Sequence, residues 1–353
     1  MDKPRRILFI TFDNIGDVVR YTAFLKVLRL QNPAAFIVCV CSSPQNELFK
    51  YNNDVDEVIV SDIRAAEVKR LEDDGISEYV YSKFYSMFKF LQRMRFDLVI
   101  NPFGSLGAVF ARFSDAANIL GRVMVSWDKY QICGKSAAEF FYTQSEKNKI
   151  RVYSQKKMSE QMITLARDVG DVDNFMFGIK PYVPVGQAEK EWAEDFLRNA
   201  GYLSGKKLIG IQLRASTENR CWPCENFIEL VKMLSKYDDL RIIIFGSPDE
   251  AEFIYNNFMP FVDNNCICAA GRTSLLEACA LMHFLEVFIS GDTGPMHMAA
   301  ACNISIIGLF GMRSSVGKEA APAVDKHVLV VENDIRDISV DQVYNALLDI
   351  GFL

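Results

Sequence analysis

Three short segments concentrate side chains able to hold a phosphate or move a proton. The densest is Ser290–Ala301, SGDTGPMHMAAA. Its spacing predicts a strand ending at Ser290, a tight Gly291-Asp292-Thr293-Gly294 turn, and a helix opened by Pro295, whose missing N–H costs little there. The unpaired amides and dipole of such a helix start favour an anionic oxygen. Gly294 lets that oxygen come close to the backbone, Thr293 adds a hydroxyl, and His297 lies one turn in near the same face. Helix capping by Asp292 and Thr293 accounts for the same residues equally well. The second segment is Gln212–Pro223, QLRASTENRCWP, where Arg214, Ser216, Thr217 and Arg220 suit a diphosphate, and an Arg could neutralise a departing phosphate. A solvated loop anchored by a buried Trp222 is the alternative. The third is Thr11–Val18, TFDNIGDV, in which Asp13 and Asp17 flank a glycine turn. A carboxylate there could act as general base. On spacing alone, N-terminal capping is the stronger reading of Asp17.

These loops need a framework that presents them together. Arg6–Thr11, Phe36–Cys41, Glu57–Val60 and Asp97–Asn101 are short apolar runs bounded by polar or turn residues, as in strands buried on both faces. Apolar residues at helical spacing fill Val18–Leu30 and 77–96. The pattern weakens between about 123 and 185, where Pro181-Tyr182-Val183-Pro184 reads as a linker. A second alternation begins with strand Lys207–Gln212 and runs through strands at Leu240–Phe245, Asn265–Ala269, Val287–Ser290 and Ser305–Phe310, with helices between them. Strands alternating with helices imply α/β domains with doubly wound parallel sheets. Two such Rossmann-like halves in tandem, 1–182 and 183–330, place the expected site in the cleft between them, beyond the carboxyl ends of the strands. The segment 331–353 is expected to form a last helix that packs back on the first domain.

The totals narrow the function. The 353 residues carry a net charge of −6, with 25 Lys/Arg against 22 Asp/Glu in residues 1–180 and 14 against 23 in the remainder. A nucleic-acid binder would be more basic. The short first strand is not a signal peptide, no apolar run is long enough to span a bilayer, and the odd count of nine cysteines suits reduced thiols, so a cytoplasmic location is expected. Residues 79–96 hold seven aromatics, four Lys/Arg and no acid. Such a helix could rest on an anionic membrane at the inner face of the inner membrane, or pack into a core with its basic ends snorkelling. Cys221-Trp222-Pro223-Cys224 lacks a second C-x-x-C, which argues against a metal or redox centre. Asp54-Val55-Asp56 and Asp171-Val172-Asp173 read as turns rather than metal sites. No G-x-G-x-x-G follows the first strand, which disfavours a dinucleotide dehydrogenase.

Taken together, the segments resemble glycosyltransferase family 9, the ADP-heptose:lipopolysaccharide heptosyltransferases. The glycine turn after the first strand resembles the family's S-x-G-D. Asn32–Val60 resembles its P-x-A-x-I … N-P-x-V-D-x-V-I stretch, RCWP its K/R-x-W-P, and FGSPDE its G-G-P-x-D/E. DTGPMHMAA resembles D-S/T-G-x-x-H-x-A-A, and Leu309-Phe310-Gly311 the closing L-F-G. The likeness runs from about residue 5 to about 315. It implies a GT-B-like fold and inverting, metal-independent transfer from a nucleotide-sugar, with ADP-heptose as the expected donor and a glycan or glycolipid as acceptor. By matching position, Asp17 stands where the family's general base lies, Arg220 at the leaving phosphate, and Ser216 beside it. Asp292, Thr293, Gly294 and His297 stand at the pyrophosphate-facing helix start, Glu250 near the ribose, and Thr273 near the adenine. Asn101–Arg112 departs from the family's D-x-Q-G-x-x-[KR]-S and lacks most of its polar and basic residues, which leaves the acceptor open. A nucleotide-sugar epimerase or hydrolase on the same scaffold, or a non-catalytic binding protein descended from it, are the alternatives.

Overall fold

The computed structural model describes residues 5–62, 78–102, 105–122, 131–132, 135–136, 149–153, 179–202, 205–312, 322 and 324–353. The Asp171–Asp173 turn lies outside them. The chain divides into two compact units, the second of which comprises Lys180–Leu353 together with the first turn of the first helix, Ile15–Arg20.

The first unit is built on a six-stranded sheet of order β3-β2-β1-β4-β5-β8. Its strands are β1 (Arg6–Thr11), β2 (Phe36–Cys41), β3 (Glu57–Val60), β4 (Leu98–Asn101), β5 (Asn118–Arg122) and β8 (Lys149–Tyr153), all paired in parallel. A small antiparallel pair, β6 (Gln131–Ile132) and β7 (Lys135–Ser136), stands apart from it. Helix α1 (Ile15–Gln31) follows β1, and α2 (Glu78–Met94) and α3 (Ser105–Phe113) flank β4. β1 and β2 read as unbroken apolar runs because both faces are covered, and Ile7–Ile10 and Ile37–Cys41 are fully buried. One core joins Leu8, Ile10, Val38 and Val99 of the sheet to Phe84 and Leu91 of α2 and Phe110 of α3. Sequence periodicity finds β1–β4 and misses α3, β5 and β8. These elements are short, and β8, at the sheet edge, alternates Lys149, Arg151 and Tyr153 with apolar residues.

The second unit repeats the scheme with order β11-β10-β9-β12-β13-β14. Its strands are β9 (Lys207–Gln212), β10 (Leu240–Phe245), β11 (Cys266–Cys268), β12 (Val287–Gly291), β13 (Ser305–Gly311) and β14 (His327–Glu332). The helices are α4 (Gln187–Asn199), α5 (Cys224–Leu234), α6 (Pro248–Asn257), α7 (Leu275–Met282), α8 (Gly294–Ala301) and α9 (Val340–Asp349). Both sheets therefore follow the 3-2-1-4-5-6 order, in which the chain reverses direction of winding between the first and fourth strands. Loops leaving those two strands diverge to opposite faces and open a crevice at their carboxyl ends. In the second unit those strands are β9 and β12, paired from Val287 with Ile209 to Ser290 with Gln212.

The last helix, α9, belongs to the second unit. Its apolar face, Val340, Val343, Ala346 and Leu347, joins the core of the second unit with Trp222, Phe227 and Leu230. An apolar stripe goes to the nearest complementary groove, and α5 supplies it. Trp222 ties this corner together: its ring meets Phe227 edge-on at 4.7 Å, and its indole Nε1 donates to the Ile338 carbonyl at 2.8 Å. Trp222→Ala is expected to cost about 3–5 kcal/mol in urea unfolding. Trp222→Phe should cost only about 1 kcal/mol, the hydrogen bond, since Asn226 also reaches Ile338 O.

Candidate active site

At the carboxyl end of β12, the turn into α8 is closed by a relay of hydroxyls. Thr293 is the N-cap of α8, and its Oγ1 accepts from Met296 N at 3.4 Å. Thr293 Oγ1 and Ser290 Oγ lie 2.7 Å apart, and Ser290 Oγ donates to Gly291 O at 2.9 Å. Since the Ser290 proton goes to Gly291, the Thr293 proton must go to Ser290. The Thr293 hydroxyl is therefore engaged in shaping the turn, and the capping role is the one seen. Pro295 in the first turn has no N–H, so Gly294 N–H is the amide of the helix start without a described acceptor. Such an amide, at the positive end of α8, is an anchor for one anionic oxygen.

Three glycine positions bring other segments onto this turn. A Cβ on Gly291 would lie 2.7 Å from the backbone carbonyl of Arg220, so glycine alone lets the loop after β9 close over the end of β12. A Cβ on Gly16 would lie 2.7 Å from His297 Cδ2, and one on Gly294 would lie 3.1 Å from Ile15 Cβ. The missing side chain at Gly294 thus makes room for Ile15.

The charges follow from that packing. Arg220 Nη1 sits 3.4 Å from Asp292 Oδ2, with Arg220 31% and Asp292 15% exposed. Burial raises the pKa of the Asp292 carboxyl, and Arg220 and Arg20 oppose the rise. Asp292 Oδ1 is 4.0 Å from His297 Nε2, which is buried and makes no hydrogen bond among the described residues. Burial, with Arg20 adding to it, drives the His297 pKa down to about 3, so the ring is neutral at physiological pH. Asp17, on the first turn of α1, pairs with Arg20 at 3.2 Å. Asp13 instead takes the Tyr21 hydroxyl at 2.8 Å and that of Thr11 at 3.3 Å, which marks it as a structural carboxylate.

Other candidates occupy the neighbouring strand ends. Glu250 Oε2 accepts from Ser247 N at 2.8 Å in the capping box of α6 and from Gln212 Nε2 at 3.1 Å. Ser216 is exposed on the loop after β9. That loop is gathered around the Cys221 sulfur, which accepts from Ala215 N at 3.2 Å and donates towards Thr217 O at 3.5 Å. Arg214 is turned away, paired with Glu218 at 3.0 Å and stacked over Phe253 at 4.5 Å. Thr273 is half-buried just before Ser274, the N-cap of α7, and no described hydrogen bond links it to Arg220 or Asp292. The geometry thus assembles Asp292, Thr293, Gly294, His297 and Arg220, with Asp17 joined through Arg20. Ser216 sits on the same loop as Arg220, Glu250 in the first turn of α6, and Thr273 just before α7.

Sequence reasoning overlooked Arg20 and Gln212. Arg20 carried a signal, its three-residue spacing from Asp17 on a helix. Gln212 is the polar residue that ends an apolar strand; it is 3% exposed, and its Oε1 has no partner among the described residues. Cys221 and Cys224 are not a reactive pair, because burial raises the thiol pKa of both, that of Cys224 to about 11. Asp54 pairs with Lys26, and Asp56 holds Arg29 and Ile37 N, so this D-x-D is structural.

His297 supplies a stability test. The unfolded imidazole protonates near pH 6.5 and the folded one only near 3. Between those values the unfolded chain binds more protons, so this residue costs stability as pH falls through the window, by up to about 1.4 kcal/mol per pH unit. Asp292, whose pKa is raised, works in the opposite sense. His297→Asn should flatten the acid limb of a plot of urea midpoint against pH, and an unchanged slope would contradict the buried neutral ring.

Known proteins share this architecture. A glycosyl transferase family 9 structure from Veillonella parvula superposes with a TM-score of 0.80 at 19% identity, covering 99% of this chain and 98% of that one. ADP-heptose LPS heptosyltransferase II of Escherichia coli gives 0.72 at 20% identity, covering 98% of each. Lipooligosaccharide heptosyltransferase 2 of Haemophilus influenzae is 28% identical over 157 residues, 43% of this chain and 44% of that protein, so the match spans less than half the relative's length. Residues 84–343 match the family model described as glycosyltransferase family 9 (heptosyltransferase), and with its paired parallel-sheet α/β units the chain belongs to that family of glycosyltransferases.

Proposed function

We propose that this protein transfers a heptose from ADP-heptose to a hydroxyl of a lipopolysaccharide core or related glycan acceptor, with inversion and without a metal. The observation that carries the reading is the meeting of Arg220, Asp292 and the Gly294 amide at the carboxyl ends of β9 and β12. A departing diphosphate needs positive charge and fixed donors where its own charge grows. Arg220 supplies the charge, held by Asp292. Gly294 N–H and the positive end of α8 supply fixed donors, and Ser216 adds a hydroxyl at the loop edge. These groups do the work that a divalent cation does in other phosphate chemistry.

Asp17 is the base in this reading. It takes the proton from an acceptor hydroxyl. The freed oxygen forms a bond to the anomeric carbon as the bond from that carbon to the β-phosphate oxygen breaks, and the electron pair leaves with ADP. One displacement with no covalent intermediate inverts the anomeric centre. Arg20 orients Asp17. Glu250 hydrogen-bonds the ribose, Thr273 borders the adenine, and His297, neutral and buried, backs the turn that faces the pyrophosphate. The shared fold of the Escherichia coli ADP-heptose LPS heptosyltransferase II supports the choice of donor. The glycolipid acceptor puts the reaction at the inner face of the inner membrane.

Calorimetric titration with ADP, UDP, GDP and CDP, with and without magnesium, tests the donor site. ADP should bind selectively without metal, and Arg220→Ala should weaken it by about 10–100-fold, the value of a charge-assisted hydrogen bond. Binding that requires magnesium, or favours another nucleotide, overturns the assignment. Asp17→Asn should keep ADP affinity and lower kcat by about 10²–10⁴-fold. Release of ADP from ADP-heptose without any acceptor, at the full rate, would point to a hydrolase.

A further inference from the structure

Strand β9 is apolar along its buried length and ends in an amide. Leu208, Ile209 and Ile211 are buried in the second unit, and Gln212 follows them, buried as well. Gln212 lies in register with Phe245 of β10 and Ser290 of β12, so strands enclose its backbone on both sides. An amide in such a place costs stability unless its polar atoms find partners.

Only one end of this amide is satisfied. Gln212 Nε2 donates to the Arg214 carbonyl at 3.0 Å and to Glu250 Oε2 at 3.1 Å. A carbonyl and a carboxylate both accept, which settles which end of the amide is nitrogen. Gln212 Oε1 is buried and has no partner among the described residues. A methionine of similar length would fill the same space without an orphaned oxygen. What the amide contributes is therefore its two N–H bonds.

Those bonds join two segments that leave the sheet separately. Arg214 opens the loop after β9 on which Ser216 and Arg220 stand, and Glu250 lies in the first turn of α6, after β10. The loop has a second support, because the Cys221 sulfur accepts from Ala215 N and donates towards Thr217 O. Glu250 depends on Gln212 more heavily. Its Oε2 also accepts from Ser247 N at 2.8 Å in the capping box, and that bond alone leaves the carboxylate free to turn about it. Two donors on Oε2 hold the group in one orientation. Glu250 Oε1 accepts no hydrogen bond among the described residues.

We infer that Gln212 is a positioning residue of the donor site: it orients the Glu250 carboxylate so that Oε1 receives a ribose hydroxyl, and the site thereby selects ribonucleotides over deoxyribonucleotides. The inference rests on the donor reading proposed above and adds to it the group that fixes Glu250. A carboxylate accepting from a hydroxyl forms a charge-assisted bond whose strength depends on alignment, so an untethered Glu250 holds the hydroxyl poorly. Gln212 itself touches no ligand in this account.

Calorimetric titration of the full chain with ADP, 2′-deoxy-ADP and 3′-deoxy-ADP tests it. Wild type should bind ADP about 10–100-fold more tightly than the analogue lacking the hydroxyl that Glu250 holds. Gln212→Met should bring that ratio to within about threefold. Gln212→Asn, whose amide is one methylene too short to reach Glu250, should do the same, and it replaces the methionine variant where that one fails to fold. Glu250→Ala should abolish the ratio, and Gln212→Met added to it should weaken ADP binding by less than about twofold more, since both act through one carboxylate. A merely structural role for Gln212 weakens ADP and its analogues alike and keeps the ratio. That result, additive losses in the double variant, or a wild type that binds all three nucleotides equally would each overturn the inference and leave the donor site standing. A wild type that binds no ADP overturns the donor reading itself, and the inference with it.

Discussion

The turn between β12 and α8 is the constraint on which the second unit's chemistry depends. Ser290, Gly291 and Thr293 spend their polar groups on one another, and this fixes the direction in which α8 leaves the sheet. Once that direction is set, Asp292 projects towards Arg220, the Gly294 amide has no acceptor among the described residues, and His297 is driven into the interior. The close approach of the Arg220 carbonyl to Gly291 then brings the loop after β9 to the same point. A side chain at Gly291 would meet backbone on the far side, and backbone cannot rotate out of the way as a long side chain can.

Burial turns that geometry into electrostatics. Asp292 and His297 both sit where their charged forms lack water, yet they respond in opposite senses, the acid's pKa rising and the imidazole's falling. Two arginines supply the compensating field. The carboxylate of Asp292, beside Arg220, anchors that guanidinium as Asp17 pairs with Arg20. Away from the turn, Cys221 does comparable work with a neutral group, since its raised thiol pKa lets sulfur both accept and donate within the 215–217 loop.

Much of the fold is legible in the chain. Apolar runs such as KLIGIQ, LRIIIF and FIVCVC define central strands because a parallel sheet covered on both sides tolerates no alternation. Helix starts are equally plain where a capping box spells them, as at Ser247 and Ser274. Short elements with mixed faces are not legible: β5 and β8 carry too few apolar residues to announce a strand, and only pairing with β4 and with each other makes them one. The terminal helix shows the same limit, because an amphipathic pattern states that a face will be buried and leaves the partner unnamed.

The candidate site divides in the same way. By itself the sequence determined which residue types stand at the strand ends, the order of the motifs, and the family they spell. Those properties are local, written in spacing and turn chemistry. Tertiary structure alone decided which of two similar groups does what. Asp13 and Asp17 are four residues apart, yet one is bound to Tyr21 within the first unit and the other pairs with Arg20. Arg214 and Arg220 share a loop, yet one lies over Phe253 and the other faces Asp292. The physical reason is that a charged side chain takes its role from its nearest partner: Arg20 is a neighbour of Asp17 on one helix, whereas Asp292, on the turn after β12, is brought to Arg220 only when the sheet is assembled.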